Sequence, residues 1–383
     1  MAITKVDISM LEDVSGADNL VKLDANAKIP AGTGANLLNK PGPLTSASDP
    51  TTSSNKAVGT EWLNTTSGEM YICTDATAGA NVWTNVGAGS GNIQTLYQGT
   101  QKGYTCGGDA SNVIDWFSFT SDGNASDHAD LQTSTRYAPA GHSSSTYGYV
   151  SGGQPNHYIE KYPFASQTNA TTVGVLTTNA ARDGISETSD TIYAFAAGGG
   201  GASYFNVIDR FPYATDSDAS DVGDLLFVTL SMAGASSTSH GYAGGGGTTG
   251  SPYRHNQIQK YSFAASANST DVADLTGLIV KPNGHQSDTH GYKSGGYTGS
   301  YVTDSTAIQK WSFASDANAT NVGTITVGRS YAAAHSSTTY GYSSGGTPSA
   351  LNVIEKFAFA TDSNATDVGD LTVGRGYICG NQY

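Results

Sequence analysis

"SSTTYGYSSGG" at residues 336–346 carries no charge and almost no conventional core residue, yet the chain nearly repeats it as "SSSTYGYVSGG" at residues 143–153. A stretch with so little side-chain chemistry that recurs is read as architecture. Working outward, each such segment leads through a variable loop to an isoleucine-centred segment: "VIDWFSF", "YIEKYPF", "VIDRFPY", "QIQKYSF", "AIQKWSF" and "VIEKFAF". Their isoleucines, Ile114, Ile159, Ile208, Ile258, Ile308 and Ile354, stand 45, 49, 50, 50 and 46 residues apart. A period of this length marks a solenoid or a propeller.

Within each repeat the order is constant. A "GYxxGG"-like segment, the isoleucine segment, a polar stretch such as "ATDSNATDVGDL" and a segment such as "VGRSYAAAHSS" follow one another, separated by Gly, Asn, Asp and Ser. Short runs rich in Tyr, Phe, Val and Ile between turn clusters read as four strands per repeat. Four strands per unit predict propeller blades, whereas a β-solenoid has shorter coils and needs fewer turns. Small residues suit sheets that converge on an axis, and a double glycine supplies positive φ where a strand ends.

Composition agrees. Among 383 residues there are 48 glycines and 22 tyrosines but only 13% charged residues, the profile of a turn-dense all-β chain with little helix. A net charge of −14 repels nucleic-acid phosphates and anionic membrane. Three cysteines, Cys73, Cys106 and Cys379, make no disulfide framework and point to synthesis in a reducing cytoplasm. The start "MAITKVDISMLEDVSGADN" is read as lacking an export signal, and no stretch has the ~18 apolar residues of a membrane span.

The repeats resemble kelch-type propellers, whose blades carry a double glycine, a third-strand aromatic and an arginine after the fourth strand. The matching residues are Gly152 and Gly153, Gly245 and Gly246, Gly295 and Gly296, Gly345 and Gly346, with Arg136, Arg329 and Arg375. The fourth-strand tryptophan of that family is replaced by "VGDL" and its relatives. The resemblance implies a six-bladed kelch-like β-propeller over residues 92–383. After Ile354 only one further strand remains, "RGYICGNQY", which matches the first strand of a blade and closes blade 1 from the C-terminus. "NIQTLYQ" at 92–98 is the rival for that place.

Residues 1–55 lack apolar periodicity and are read as an extended attachment or oligomerisation segment; residues 56–91 are read as a small β element built on Trp62, Tyr71 and Trp83. "VKLDANAKIPA" and "GTEWLNTTSGEMYICTDATAGANVWTNVG" resemble segments of bacteriophage tail fibres. That resemblance implies a virion tail appendage made in the host cytoplasm. It also implies a homo-oligomer, with a trimer first, attached to other tail or baseplate proteins and binding host glycan or outer-membrane protein.

Candidate sites follow from departures between repeats. His142, His285 and His335 share a slot filled elsewhere by Asn381, Ser186 and Ala235, and could suggest a metal; pairing within each hairpin is the simpler expectation, so no cofactor is assigned. The Asn- and Asp-rich loops, which contain Asn-x-Ser/Thr at Asn124, Asn169, Asn268, Asn318 and Asn364, read as turns rather than calcium or glycan sites. No nucleophile elbow, phosphate loop or distinguished carboxylate pair is present, so a non-catalytic adhesin is the leading expectation. A glycan-degrading tailspike and a structural decoration protein are the alternatives. The longest loops after the double glycine fall in repeats 3 to 5, and their Tyr204, Tyr253, Arg254, His255, Tyr297 and Tyr301 are the receptor-binding candidates, on one face with the blade-to-blade connections.

Overall fold

The computed structural model describes residues 42–86, 98–109, 111–133, 136–178, 180–248, 253–298 and 303–383. The chain divides into two compact units, up to Ile93 and from Gln94 onward. Among the described residues there is no helix, and the strands form seven four-stranded sheets with one short extra ribbon, Tyr297–Thr298 with Thr303–Asp304.

The first unit holds one sheet: Leu44–Ser46, Glu61–Asn64, Met70–Asp75 and Val82–Asn85. Leu44–Ser46 pairs parallel to Glu61–Asn64, so strand structure begins within the segment expected to be extended. Trp62 meets Trp83 edge-on at 5.8 Å, and Tyr71, Cys73 and Trp83 form the small core.

The second unit holds six sheets, numbered I to VI along the chain. Sheet II, for example, is Ala140–Ser143, Tyr147–Ser151, Tyr158–Pro163 and Thr171–Val175, each strand antiparallel to the next. Sheet I draws its first strand, Cys379–Gln382, from the far end of the chain, paired with Lys102–Cys106. The rival segment 92–98 lies outside the described residues except for Gln98.

The recurring "GY" now has a physical reason. In the register of sheet II, Gly148 faces Tyr162 on the third strand, and a Cβ there would run into the tyrosine ring. The same approach recurs at Gly103 under Phe117, Gly241 under Tyr261, Gly291 under Trp311 and Gly341 under Phe357. Glycine lets the third-strand aromatic lie across its neighbour and reach the next sheet. Thus Ile114 and Cys106 of sheet I share a core with Tyr162 and Phe164 of sheet II, and Phe117 of sheet I shares one with Tyr342 and Ile354 of sheet VI.

Each fourth strand also bulges opposite the step after the third-strand isoleucine, with His128, Val173, Val222, Val272, Val322 or Val368 as the extra residue. Asp115, Glu160, Asp209, Gln259, Gln309 and Glu355 lie on the sheet face opposite the isoleucines and are buried as well, because a neighbouring sheet packs on each face, as sheets II and VI do on sheet I.

Successive sheets are joined at their outer strands by one repeated bond. The backbone N–H of Asp130, Val175, Asp224, Asp274 and Thr324 donates to the side chain of Asn169, Asp218, Asn268, Asn318 and Asn364 in the following sheet. Asp370 of sheet VI donates in the same way to Asn124 of sheet I, at 3.1 Å. The Asn-rich loops are therefore clasps between sheets. This explains their recurrence better than the local turn chemistry read from the sequence.

Candidate functional site

The first strands of the six sheets lie against one another, and their residues set the geometry of the site. Just ahead of each stands a residue with positive φ: Ala138, Gly184, Ser231, Lys281, Tyr331 and Tyr377. Backbone bonds connect them. The N–H of Ala138 donates to Tyr377, Gly184 to Ala138, Ser231 to Gly184 and Lys281 to Ser231, while Ile378 donates to Tyr331. Three residues deeper, Gly141, Gly234, Gly284 and Gly380 pack so closely that a Cβ on any of them would strike the carbonyl of a neighbouring strand. Ala334 and Glu187 fill the remaining two of these places.

Two residues before each left-handed position sits the residue that anchors the sheet. Arg182 donates to the carbonyls of Gly198 and Ala196 and pairs with Asp209 at 2.5 Å, both side chains fully buried. Arg136 with Glu160, Arg329 with Glu355 and Arg375 with Asp115 repeat the arrangement. In sheets IV and V the arginine becomes Thr229 or Ile279, and the acid becomes Gln259 or Gln309. Charge is lost from both partners together, as the cost of an unpaired buried ion requires. Sheet V restores a cation from another strand: Lys293 Nζ donates to the carbonyls of Gly295 and Ala307, and burial lowers its pKa to about 8.

The histidines are bridges. His142 Nε2 lies 2.9 Å from Ser151 Oγ, and its Nδ1 faces the Thr188 carbonyl of the next sheet. His285 and His335 repeat this with Ser294 and Ser344, and with the carbonyls of His335 and Asn381. An Nδ1 facing a carbonyl must carry the proton, leaving Nε2 to accept from the serine. Burial lowers the three pKa values to about 4, 3 and 4, so all are neutral at pH 7. No group of three metal-ligating side chains occurs among the described residues. In sheet III the equivalent residue is Thr188, opposite Phe195 as His142 is opposite Tyr149, and not Ser186 as expected.

At the left-handed level the first strands open onto a cavity of about 250 Å³, lined by Gln154, Asp183, Tyr204, Leu230, Ser231, Thr248, Val280, Lys281 and Tyr331 among others. Lys281 Nζ lies 4.2 Å from the centre of the Tyr331 ring, which itself packs against Tyr377 at 4.1 Å. Burial raises the Asp183 carboxyl to about 6 and lowers the Lys281 ammonium to about 8. Deeper, two cavities of about 50 and 40 Å³ flank Glu187, room for one or two waters each. In that confinement the Glu187 carboxyl is raised by burial to about 8.

The loops after the second strands share this face with the connections between sheets: Gly200 bridges to Asp183, Gly247 to Leu230, Tyr297 to Val280 and Thr347 to Ser330. The chain reaches the opposite end of the first strands, where Gln98 Nε2 donates to the Gln286 carbonyl and the Gly99 N–H to that of Ser336.

The sequence candidates divide. Tyr204 lines the cavity, and the Tyr297 ring centre lies 5.2 Å from Lys281 Nζ. Tyr253 is 62% exposed. Arg254 and His255 are only 9% and 7% exposed, His255 stacked on Phe227 at 3.9 Å, which makes them parts of the scaffold beneath the loop. Tyr301 lies outside the described residues. Asp183, Lys281 and Tyr331 escaped the sequence reading; aligning the repeats two residues beyond each arginine position, where Ala138, Gly184, Ser231, Lys281, Tyr331 and Tyr377 differ in size and charge, would have found the last two, and the column before it Asp183.

No protein-family model matches this sequence, and no curated protein matches it either.

Proposed function

We propose that the six sheets close into a six-bladed propeller and that the protein is a virion tail appendage that binds the host surface, without catalysis, through the face bearing the cavity. Closure is supported by the sixth clasp: Asp370 and Asn124 join sheet VI to sheet I as every other pair of successive sheets is joined. The observation that carries binding is the cavity itself, lined by Tyr204 and Tyr331 and framed by loops that differ in length from repeat to repeat. Tyrosine offers large contact area at low entropy cost. Among the described residues Asp183 is the one carboxylate lining it, whereas two-carboxylate glycoside hydrolysis needs a second across the cleft. The virion setting rests on the tail-fibre-like wording of residues 21–31 and 59–87. Several copies on one particle turn weak single contacts into firm attachment.

Adsorption of the full-length protein to bacterial cells tests this reading. Replacing Tyr204, Tyr253 and Tyr297 by alanine together should abolish adsorption at an unchanged melting temperature. Replacing Asn364, Thr366 and Asp367, at the outer clasp, should leave adsorption intact. Release of new reducing ends from host polysaccharide would instead favour the depolymerase.

A further inference from the structure

The geometry points to a specific ligand class for the cavity: one neutral pyranose, held as the terminal residue of a longer glycan. The host-surface source of that glycan rests on the reading above; the sugar site itself does not.

The strongest argument is the residues placed at the left-handed positions. A backbone with φ near +60° suits glycine, and Gly184 supplies it once. Lys281 and Tyr331 occupy the same conformation at φ 61° and 51°, where bulky side chains are uncommon. Strain retained at one level of a repeat, where glycine would serve the fold, directs attention to what those side chains do. Both line the cavity.

A second observation is independent of the first. Ser231 is 6% exposed, it lines the cavity, and among the described residues its Oγ has no hydrogen-bond partner. A buried hydroxyl without a partner is costly unless something supplies one.

Size and chemistry then select the class. About 250 Å³ holds roughly eight waters at ~30 Å³ each, enough for one sugar ring with its hydroxyls and too little for two. The wall is divided between aromatic or aliphatic groups (Tyr204, Leu230, Val280) and neutral polar groups (Gln154, Ser231, Thr248), which match the C–H face and the hydroxyl edge of a pyranose, while Tyr331 holds Lys281 at its rim. Asp183 accepts from adjacent hydroxyls. Lys281, acting on it through the same cavity, offsets its charge, so the site as a whole favours a ligand without net charge. A phosphate or uronate would meet the Asp183 carboxylate at close range.

Saturation-transfer NMR on the full-length protein tests the assignment, with glucose, galactose and N-acetylglucosamine as probes, glucuronate, free glycine and glutamate as probes of other classes, and inorganic phosphate as a competitor read by loss of the sugar signal. At least one neutral sugar should receive transfer. Asp183→Asn and Tyr331→Ala should each weaken it at least tenfold at unchanged melting temperature, and lowering the pH from 7 to 5, where Lys281 stays charged, should weaken it as Asp183 takes up a proton. If Tyr331→Ala does not fold, Thr248→Val supplies the second variant. Transfer only to glucuronate, only to the amino acids, or to none of the probes overturns the assignment, as does loss of the sugar signal to inorganic phosphate or neutral-sugar transfer unaffected by the variants. Cells that adsorb the protein while no sugar receives transfer would leave the adhesin reading standing and remove this one; sugar binding without adsorption would do the reverse.

Discussion

The outer clasps and the cavity mouth belong to the same six sheets and obey opposite rules. At the outer strands one bond recurs in every sheet, with Asn or Asp as acceptor each time. At the mouth the six equivalent residues are Ala, Gly, Ser, Lys, Tyr and Tyr. In a repeat chain, sameness marks what the fold needs at every interface, and divergence marks where the copies are released from that need. The comparison can be broken by experiment, beginning with the most severe change.

Deleting residues 375–383 removes Arg375, its pair with Asp115 and the first strand of sheet I. The six-sheet unit should lose more than ~5 kcal/mol and its cooperative unfolding, because the edge of Lys102–Cys106 is exposed and a buried acid is left without its cation. Deleting residues 1–93 should leave its urea midpoint unchanged. Equal losses would show that the recurring interfaces do not control stability.

The buried pairs come next. Arg182→Thr or Asp209→Gln alone should cost about 3–5 kcal/mol by denaturant unfolding, since each strands a buried charge. The double variant reproduces the Thr229–Gln259 combination of sheet IV and should recover most of the loss, giving a large coupling in a double-mutant cycle.

Titration separates the two levels further. The three bridging histidines have folded pKa values below the unfolded 6.5, so the unfolded chain binds more protons between pH 6.5 and about 4. Their stabilisation is complete above pH 6.5 and is lost as pH falls toward 4, on the order of 3 kcal/mol apiece. Glu187 acts in the other direction. Its folded pKa is raised from 4.5 to about 8, so stability declines as pH rises through that interval. Thermal melts should show a maximum near pH 6.5, and Glu187→Gln should flatten the decline above it and steepen the rise below it.

The smallest effect belongs to the mouth. Lys281→Gly relieves a left-handed lysine and should shift stability by less than ~1 kcal/mol in either direction, because the relief and the added chain entropy nearly cancel. A loss as large as that for Arg182 would mean that the mouth is scaffold.

Much of this fold was legible in the sequence. The isoleucine period fixed six repeats, "GY" and the double glycine marked the second strand, and the leftover "RGYICGNQY" foretold a strand that pairs with Lys102–Cys106. The register of that pairing was not legible: Cys379 lies opposite Cys106 and Asn381 opposite Tyr104. No tight turn joins those strands, since they are 273 residues apart in the chain, so spacing could not set their alignment. Both thiols are free and buried, as the absence of a disulfide framework had implied. Thr188 was missed because Ala194 replaces the marker glycine in sheet III. The left-handed level was hidden for a different reason: alanine, serine, lysine and tyrosine announce no positive φ, which contacts between neighbouring sheets impose.

The paired arginine and acid also say how such a chain can grow. The arginine belongs to the connector that enters a sheet, whereas its acid lies on that sheet's third strand, so a segment copied from connector to fourth strand carries both partners. Cutting anywhere between them would strand a charge. The heritable cassette is thus offset from the chain's own beginning: the six-sheet unit opens with a second strand, and the missing leading piece, arginine included, is supplied at the tail. The order of the polypeptide is a circular permutation of the order in which its parts can be exchanged.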